Sequence, residues 1–258
     1  MKPKKYLGQY FLKNLGVLPL IIKAAELSKD DIVLEIGPGT GILTEELTKH
    51  AKEVYAVEKD FELIELLKKN VKAKNLKIIH QDALFFSPEF IGPYKVIANI
   101  PYSITSPLIR KFIENSPRPK LLVLMVQKEV AERITAKAGE SARGLLTIIV
   151  EFYATAEIVA QVPRDDFYPV PAVDSAVIKI VPKEKLPDSE PKQFFAIVKA
   201  GFAAKRQQIH NSLAATLRLP KDQVRDILKR SSIDPIKRAE DLTLDDWINL
   251  TKTFKSTI

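Results

Sequence analysis

The feature that most constrains the fold is the alternation of short apolar runs with longer amphipathic stretches over the first two-thirds of the chain. Most of the apolar runs are nearly continuous in Val, Ile and Leu, which is typical of strands in a parallel sheet covered on both faces. They lie at residues 32–36, 54–57, 76–79, 96–98 and 121–126. Between and after them, helical spacing of apolar residues is found at 40–50, 61–72, 107–115 and 128–137. This order predicts a doubly wound α/β sheet.

A different pattern follows these runs. Residues 143–153 carry apolar side chains at helical spacing and predict a helix in spite of their β-branched content. Two β-rich runs, at 157–162 and 173–181, then predict a closing antiparallel pair. The stretch 181–192 contains three prolines and six charged residues, which is the composition of a linker.

Beyond that linker the pattern is helical throughout. The predicted helices span residues 193–204, 205–217, 221–231 and 244–254. We therefore expect two domains: an α/β domain over residues 1–181, which includes a basic N-terminal arm, and a small all-α domain over 182–258.

The composition excludes several classes of protein. The chain contains no cysteine and three histidines, so a disulfide framework, a thiolate metal site and a cysteine nucleophile are excluded and a zinc site is not expected. No apolar run approaches the roughly 18 residues of a membrane span, and the N-terminus lacks the apolar core of a secretory signal. We expect a cytoplasmic protein with no membrane or metal partner. The net charge of +8 fits a polyanionic partner and a solvated basic surface equally well.

A glycine-rich turn follows the first predicted strand. Gly37-Pro38-Gly39-Thr40-Gly41 leads directly into a helix, where glycines allow a sharp turn and close approach of a ligand to the main chain. Such turns are common, so this motif is weak evidence by itself. Its GxGxG spacing differs from the GxGxxG of dinucleotide-binding folds.

Two acidic residues at strand ends strengthen the case for a ligand site. Glu58 closes the second predicted strand, where a carboxylate can accept both hydroxyls of a ribose, and Asp82 closes the third, where it can accept from the exocyclic amine of an adenine. A single acid in such a place is more often a helix cap or a solvated loop residue. Together with the glycine turn they indicate a crevice for an adenosine whose other end is not a pyrophosphate. S-adenosylmethionine fits this description, and NAD is the competing interpretation.

The tetrapeptide Asn99-Ile100-Pro101-Tyr102 follows the fourth predicted strand. It resembles the catalytic motif of methyltransferases that act on exocyclic amino groups of nucleobases. The nitrogen lone pair of adenine N6 is delocalised into the ring, so acceptors such as the Asn99 side-chain oxygen and the Ile100 carbonyl could hold the amino hydrogens and localise it. Pro101 would fix the backbone, and Tyr102 would offer a face on which the base stacks. The alternative is a loop in which proline and tyrosine merely pack.

Further motifs narrow the resemblance. Residues 8–12 (GQYFL), the Asn99–Tyr102 loop, residues 127–130 (QKEV) and residues 167–175 (FYPVPAVDS) look like the ribosomal RNA adenine-N6 dimethyltransferases. Residues 211–213 (NSL) and the Asp, Pro, Arg, Ala, Glu and Leu within 234–242 look like the small-subunit branch of that group, the KsgA/RsmA family. The resemblance covers roughly residues 5–250.

The resemblance implies a fold, an activity and a set of site residues. It implies a Rossmann-like class I methyltransferase sheet, mostly parallel with an antiparallel edge strand, and a helical RNA-binding domain. The implied reaction is S-adenosylmethionine-dependent dimethylation of two adjacent adenosines in a hairpin loop near the 3′ end of small-subunit rRNA. The implied partner is that rRNA or the immature small subunit, and a monomer is expected. The implied cofactor residues are Tyr10, Leu12, Gly37, Gly39, Glu58, Asp82 and Asn99.

Tyr10 and Phe167 each allow two interpretations. The family usually has Asn or His where this chain has Tyr10, so a side-chain hydrogen bond to the cofactor is absent there or is made by the phenol. Phe167 matches the family aromatic that sandwiches the target base opposite Tyr102, although next to a proline-rich turn it could instead be a core residue.

RNA needs cations beside the pocket, because a base enters most easily from a single-stranded loop whose phosphates flank it. The candidates are Lys4, Lys5, Lys13, Arg110, Lys205, Arg206, Lys229 and Arg230. Each is individually more often a solvated residue than a contact. Together they predict salt-dependent RNA binding.

Three alternatives remain at this stage. A large-subunit rRNA methyltransferase of the macrolide-resistance type would use the same chemistry, although residues 238–240 (RAE) argue against it. A non-catalytic RNA-binding or assembly factor on the same fold would not need Gly37, Glu58, Asp82 and Asn99 intact. An NAD-dependent dehydrogenase would leave the Asn99–Tyr102 loop unexplained.

Overall fold

A computed structural model describes residues 9–89 and 92–255. The chain divides into two compact units. The first comprises Met1–Ala131 and Ala154–Pro182, and the second comprises Glu132–Tyr153 and Lys183–Ile258. Within the described residues, no helix has both the length and the apolar character needed to cross a membrane.

The first unit is built on β-sheet. Its strands are β1 Phe11–Leu12, β2 Ile32–Ile36, β3 Glu53–Glu58, β4 Leu76–His80, β5 Tyr94–Asn99, β6 Leu122–Gln127, β7 Ala154–Val162, β8 Phe167–Tyr168 and β9 Ser175–Pro182. Seven of them form one sheet in the order β4-β3-β2-β5-β6-β9-β7, and β1 pairs with β8 in a separate antiparallel ribbon. Strands β2 to β6 are parallel, while β9 runs antiparallel to both β6 and β7. The predicted fold class and the predicted antiparallel pair are confirmed, with β9 one place in from the edge.

The helices follow the predicted order. They are α1 Leu18–Ala25, α2 Ile42–His50, α3 Phe61–Asn70, α4 Thr105–Glu114, α5 Lys128–Thr135, α6 Leu145–Tyr153, α7 Pro191–Phe202, α8 Ile209–Leu217, α9 Lys221–Arg230 and α10 Leu244–Lys255. Helix α1 and the β1–β8 ribbon were not anticipated from the sequence. Helix α8 begins at Ile209, later than the predicted residue 205, because turns occupy the basic stretch before it.

The order of the strands determines where a ligand site can form. The central strands β2, β5 and β6 are buried almost throughout, as their continuous apolar sequences require. The edge strand β4 is half-exposed along its length. Strand order reverses between β2 and β5, so the loops after β2 and β5 diverge at the carboxyl edge of the sheet. In open parallel sheets this crevice is the usual ligand site.

The second unit has its own core. The Phe152 ring of α6 lies 4.7 Å from that of Phe194 on α7, and Trp247 of α10 is fully buried. Arg143 is also buried, and its guanidinium donates to the Glu151 carboxylate at 2.6 and 2.7 Å and to two main-chain carbonyls.

The boundary predicted between residues 181 and 182 lies one residue from the last of the three points at which the chain passes between units, between Pro182 and Lys183. The prediction placed residues 132–153 with the α/β domain, whereas the structure groups them with the helical unit. The reason is the packing of α6 on α7, which a composition shift in the sequence does not reveal.

Candidate active site

The glycine turn after β2 gives main-chain access to the carboxyl edge of the sheet. Gly39 has φ +57, and a Cβ there would lie 3.3 Å from Phe11 Cε1. Gly41 has φ +91 and directly precedes α2, and a Cβ there would lie 2.7 Å from Leu67 Cδ1. Both positions therefore favour glycine for their conformation, and Gly41 also needs it for space. The turn leaves the N-terminus of α2 beside the cavity described below.

Glu58 stands at the end of β3 with its side chain largely buried. Its Oε1 accepts hydrogen bonds from the main-chain N–H groups of Lys59, at 2.8 Å, and Asp60, at 2.9 Å. Burial raises the pKa of the Glu58 carboxyl, and these two hydrogen bonds oppose the rise. Asp60 in turn caps α3 by accepting from Glu62 N–H at 3.1 Å. The carboxylate is thus oriented by the loop that follows its own strand.

Asp82 lies two residues beyond β4 and is held on both oxygens. Its Oδ2 accepts from Lys59 Nζ at 2.8 Å, and its Oδ1 accepts from Leu84 N–H at 3.0 Å. The hydrogen bond from Lys59 is the main cause that lowers the pKa of the Asp82 carboxyl. The lysine side chain is 63% exposed, so solvent screens this pair and weakens it.

The loop after β5 carries the polar and aromatic residues singled out from the sequence. Asn99 Nδ2 donates to the Tyr10 carbonyl at 3.4 Å, so the amide nitrogen rather than the oxygen faces Tyr10. Ile100 is buried, and its N–H donates to the Met125 carbonyl on β6 at 3.2 Å. The Tyr102 hydroxyl lies 2.7 Å from Ser175 Oγ on β9, which fixes the orientation of the ring. Burial raises the pKa of Tyr102, so the phenol stays protonated at neutral pH.

These segments surround one cavity of about 270 Å³. Its lining brings together all the residues that the resemblance assigned to the cofactor and the whole tetrapeptide after β5. They are Tyr10, Leu12, Gly37, Gly39, Glu58, Asp82, Asn99, Ile100, Pro101 and Tyr102. Among the described residues, no group of three or more histidines or acids is arranged to hold a metal ion.

Phe167 is placed elsewhere. Its side chain is fully buried in the hydrophobic core of the first unit, where β8 pairs it with Leu12 of β1, and it does not line the cavity. A ring with no exposed face cannot stack on a base in this conformation. Its neighbour Tyr168 is 59% exposed, because successive side chains of a strand point to opposite faces.

The predicted RNA-binding residues are scattered over both units. Lys4 and Lys5 lie outside the described residues. In the first unit, Lys13 is exposed, and Arg110 Nε donates to the Glu114 carboxylate at 2.6 Å. In the second unit, exposed basic residues occur before α8 and at the end of α9, namely Lys205, Arg206, Lys229 and Arg230. Lys205 Nζ also donates to the Ser141 carbonyl at 2.6 Å.

Sequence reasoning missed several residues that shape the cavity. Glu35 lies within β2 and lines the cavity with only 1% of its surface exposed. Burial raises the pKa of its carboxyl to about 8, and its Oε2 has no hydrogen-bond partner in the described part of the chain. The detectable signal was an acid inside the apolar run IVLEI.

Lys111 was missed for a different reason. It follows Arg110 on α4, and its Nζ donates to the Ala83 and Leu84 carbonyls, both at 2.9 Å. It therefore braces the loop that presents Asp82. No local pattern distinguishes a lysine on α4 that turns inward from one that faces solvent.

Comparisons with known proteins agree with this geometry. The family model described as ribosomal RNA adenine dimethylase matches residues 1–256. A protein of Dehalococcoides mccartyi (strain BAV1) named ribosomal RNA small subunit methyltransferase A is 44% identical over 97% of this chain and 88% of its own. A protein of the same name from Nostoc sp. (strain PCC 7120) is 40% identical over 97% of both chains.

Solved structures give the same result. The crystal structure of a dimethyladenosine transferase from Plasmodium falciparum has a TM-score of 0.82 and 33% identity, over 95% of this chain and 98% of that one. The 23S rRNA methyltransferase ErmE has a TM-score of 0.74 and 27% identity, over 95% and 99% of the two chains. The chain belongs to the ribosomal RNA adenine dimethylase family.

Proposed function

We propose that this protein uses S-adenosylmethionine to dimethylate the N6 amino groups of two adjacent adenosines in a hairpin loop near the 3′ end of small-subunit rRNA. The observation that carries the proposal is the position of Asn99 and Tyr102 on the same cavity as the strand-end acids Glu58 and Asp82. The loop after β5, which would hold the target base, therefore lines the same cavity as the acidic groups suited to an adenosine cofactor.

The cavity suits the cofactor on chemical grounds. S-adenosylmethionine carries a sulfonium and an ammonium group and no phosphate. Three acids line the cavity, and one of them, Glu35, has a buried carboxyl oxygen with no partner in the described part of the chain. A cation nearby would compensate for its burial. Gly37 and Gly39 also line the cavity, so the main chain of the turn borders the ligand space.

Individual roles follow from the positions of the side chains. Glu58 would accept from the ribose hydroxyls, because its carboxylate is held at the end of β3 by two main-chain donors. Asp82 would accept from the adenine amine, exchanging its exposed partner Lys59 for the ligand. When bound, the cofactor supplies a methyl group on a positively charged sulfur, which is the electrophile.

The residues after β5 would prepare the target nitrogen. Asn99 Oδ1 and the Ile100 carbonyl would accept the N6 hydrogens, two before the first transfer and one before the second, and so localise the nitrogen lone pair. Tyr102 would stack on the base. Each transfer would form a bond between N6 and the methyl carbon while the bond from that carbon to the cofactor's sulfur breaks, and S-adenosylhomocysteine would leave with the electron pair. One surplus proton on the nitrogen would pass to water. Tyr102 is not the base for this step, because its phenol is protonated already and is hydrogen-bonded to Ser175.

The small-subunit assignment rests on the relatives. Proteins named small subunit methyltransferase A are 44% and 40% identical to this chain, whereas the 23S rRNA methyltransferase ErmE is 27% identical. We therefore favour small-subunit rRNA, or the immature subunit that contains it, over the large-subunit alternative. We further propose a monomer that acts in the cytoplasm, with the helical unit contributing RNA contacts through its exposed lysines and arginines.

The proposal is tested by separating catalysis from RNA binding. Asn99→Ala should abolish methyl transfer while leaving retention of small-subunit rRNA largely intact, because the residue acts on the base and not on the phosphates. The matched control is Asn249→Ala on an exposed position of α10, which should keep both activities. Equal loss of transfer and RNA retention in Asn99→Ala, with normal folding, would show that Asn99 is structural. Transfer at the wild-type rate would refute its catalytic role.

A further inference from the structure

Tyr10 stacks on Tyr102, the ring on which the target base would stack in the proposed function. The rings of Tyr10 and Tyr102 are stacked, with centroids 5.3 Å apart and planes inclined by 25°. The Tyr10 carbonyl also accepts from Asn99 Nδ2. Tyr10 is thus in contact with both side chains that hold the target base in the proposed function.

A base does not fit between the two rings as they stand. Carbon atoms in contact lie about 3.5 Å apart, so a base between two aromatic planes needs them about 7 Å apart. The spacing of two planes cannot exceed the distance between their centroids, which is 5.3 Å here. Tyr102 cannot retreat without breaking its hydrogen bond to Ser175.

The attachments of Tyr10 allow it to be the ring that moves. The residues beside it are fixed: Gln9 Nε2 donates to Asp60 Oδ2 at 3.0 Å, and Phe11 pairs with Tyr168 in the β1–β8 ribbon. Within residues 9–89 and 92–255, the hydrogen bond to the main-chain carbonyl of Tyr10 is the long 3.4 Å one from Asn99 Nδ2. The Tyr10 side chain is partly buried against the hydrophobic core of the first unit. Its rotation would give up that packing but would leave the hydrogen bonds of Gln9 and the pairing of Phe11 in place.

We propose that Tyr10 covers the base-stacking face of Tyr102 and that the target adenine enters by displacing it. The stack between the tyrosines must be lost before the stack between base and Tyr102 forms. Tyr10 therefore sets a threshold for base entry and favours bases that leave their RNA stack easily. This inference rests on the proposed function.

The test compares two RNA hairpins with the sequence around the target adenosines, one with adenine at the target position and one abasic there. The dissociation constant of the abasic hairpin divided by that of the adenine hairpin measures what the base contributes to binding. Tyr10→Ala removes the stack between the two tyrosines that the base must otherwise displace. Because an aromatic pair stabilises by an amount of this order, the ratio should rise about two- to tenfold. Tyr10→Phe keeps the ring and should leave the ratio unchanged. In a Tyr102→Ala background, Tyr10→Ala should have no effect, because no stacking face remains to be covered.

Other outcomes overturn the inference. An unchanged or lower ratio in Tyr10→Ala, with a normal melting temperature, would make Tyr10 a wall of the base site or a structural residue. If Tyr10→Ala folds poorly, Tyr10→Asn provides the same comparison with a polar side chain. Failure of the proposed function would look different: the wild type would neither distinguish the two hairpins nor methylate RNA. Methylation with an unchanged ratio in the variants would refute only the covering role of Tyr10.

Discussion

Replacing Glu58 by Gln should weaken cofactor binding without unfolding the protein. Glu58 is 8% exposed as a residue, and its Oε1 already accepts from the main-chain N–H groups of Lys59 and Asp60. Glutamine keeps one oxygen for these two donors. Its amide nitrogen replaces the second oxygen and cannot accept from a ribose hydroxyl. Alanine would be a less specific change, because it also leaves both main-chain donors without their acceptor and so affects stability.

The expected loss of cofactor affinity is that of one hydrogen bond from a ribose hydroxyl to the charged carboxylate of Glu58. Such a bond contributes about 1.5–3 kcal/mol, which corresponds to a loss of about 10- to 150-fold in the dissociation constant. At a site this buried, bulk water cannot replace the missing acceptor, so a value within that range is expected rather than a smaller one.

Isothermal titration calorimetry with S-adenosylmethionine measures the effect, and a thermal melt checks the fold. Glu65→Gln is the matched control, since Glu65 lies on the neighbouring helix α3 with its side chain 53% exposed. The control should bind like the wild type. If Glu58→Gln also binds within twofold of the wild type, Glu58 does not hold the ribose.

Three other predictions follow from the structure. Burial raises the pKa of Glu35 from 4.5 to about 8, so the folded protein keeps a proton that the unfolded chain loses, and the free energy of unfolding should fall as pH rises from about 5 to 8. Glu35→Gln should flatten this decline in denaturation curves taken at several pH values, and an equal decline in both proteins would contradict the reasoning. Gly201→Ala would place a Cβ 2.3 Å from Trp247 Cη2, which should destabilise the second unit by about 1–3 kcal/mol. Urea denaturation followed by fluorescence of this single tryptophan measures the loss, and an unchanged midpoint would show that the helices move apart without cost. The double variant Lys205→Ala/Arg206→Ala should reduce the slope of log affinity for RNA against log salt by about 1 to 2, and an unchanged slope would exclude phosphate contacts at both residues.

Much of the sheet could be predicted because each parallel strand is marked by an apolar run within its own few residues. The run 32–36 gave β2 with its observed bounds, and the other parallel strands differ by one or two residues at their ends. Strands that are buried along their whole length need apolar residues throughout. The carboxyl ends of parallel strands lie at the same edge of the sheet, so the site residues that follow them lie there too. Gly37, Glu58, Asp82 and Asn99 therefore meet around one cavity, as the order of strands and loops implied.

What could not be predicted depends on contacts between distant residues. Phe167 and Tyr168 alternate between core and solvent, and only the pairing of β8 with β1 decides which one is buried. Lys59 and Asp82 are 23 residues apart, so their ion pair has no local pattern. The Tyr10–Tyr102 stack likewise joins two segments that the sequence separates by most of the sheet.

The most direct test of the central claim is to map the methylated product. The protein is incubated with labelled S-adenosylmethionine and undermethylated small subunits, their free rRNA, or large-subunit rRNA, and the product is located by mass spectrometry. The account predicts N6,N6-dimethyladenosine at two adjacent positions in a hairpin loop near the 3′ end of small-subunit rRNA. Product on large-subunit rRNA alone would contradict the substrate assignment, and no product on any RNA, despite measurable cofactor binding, would contradict catalysis.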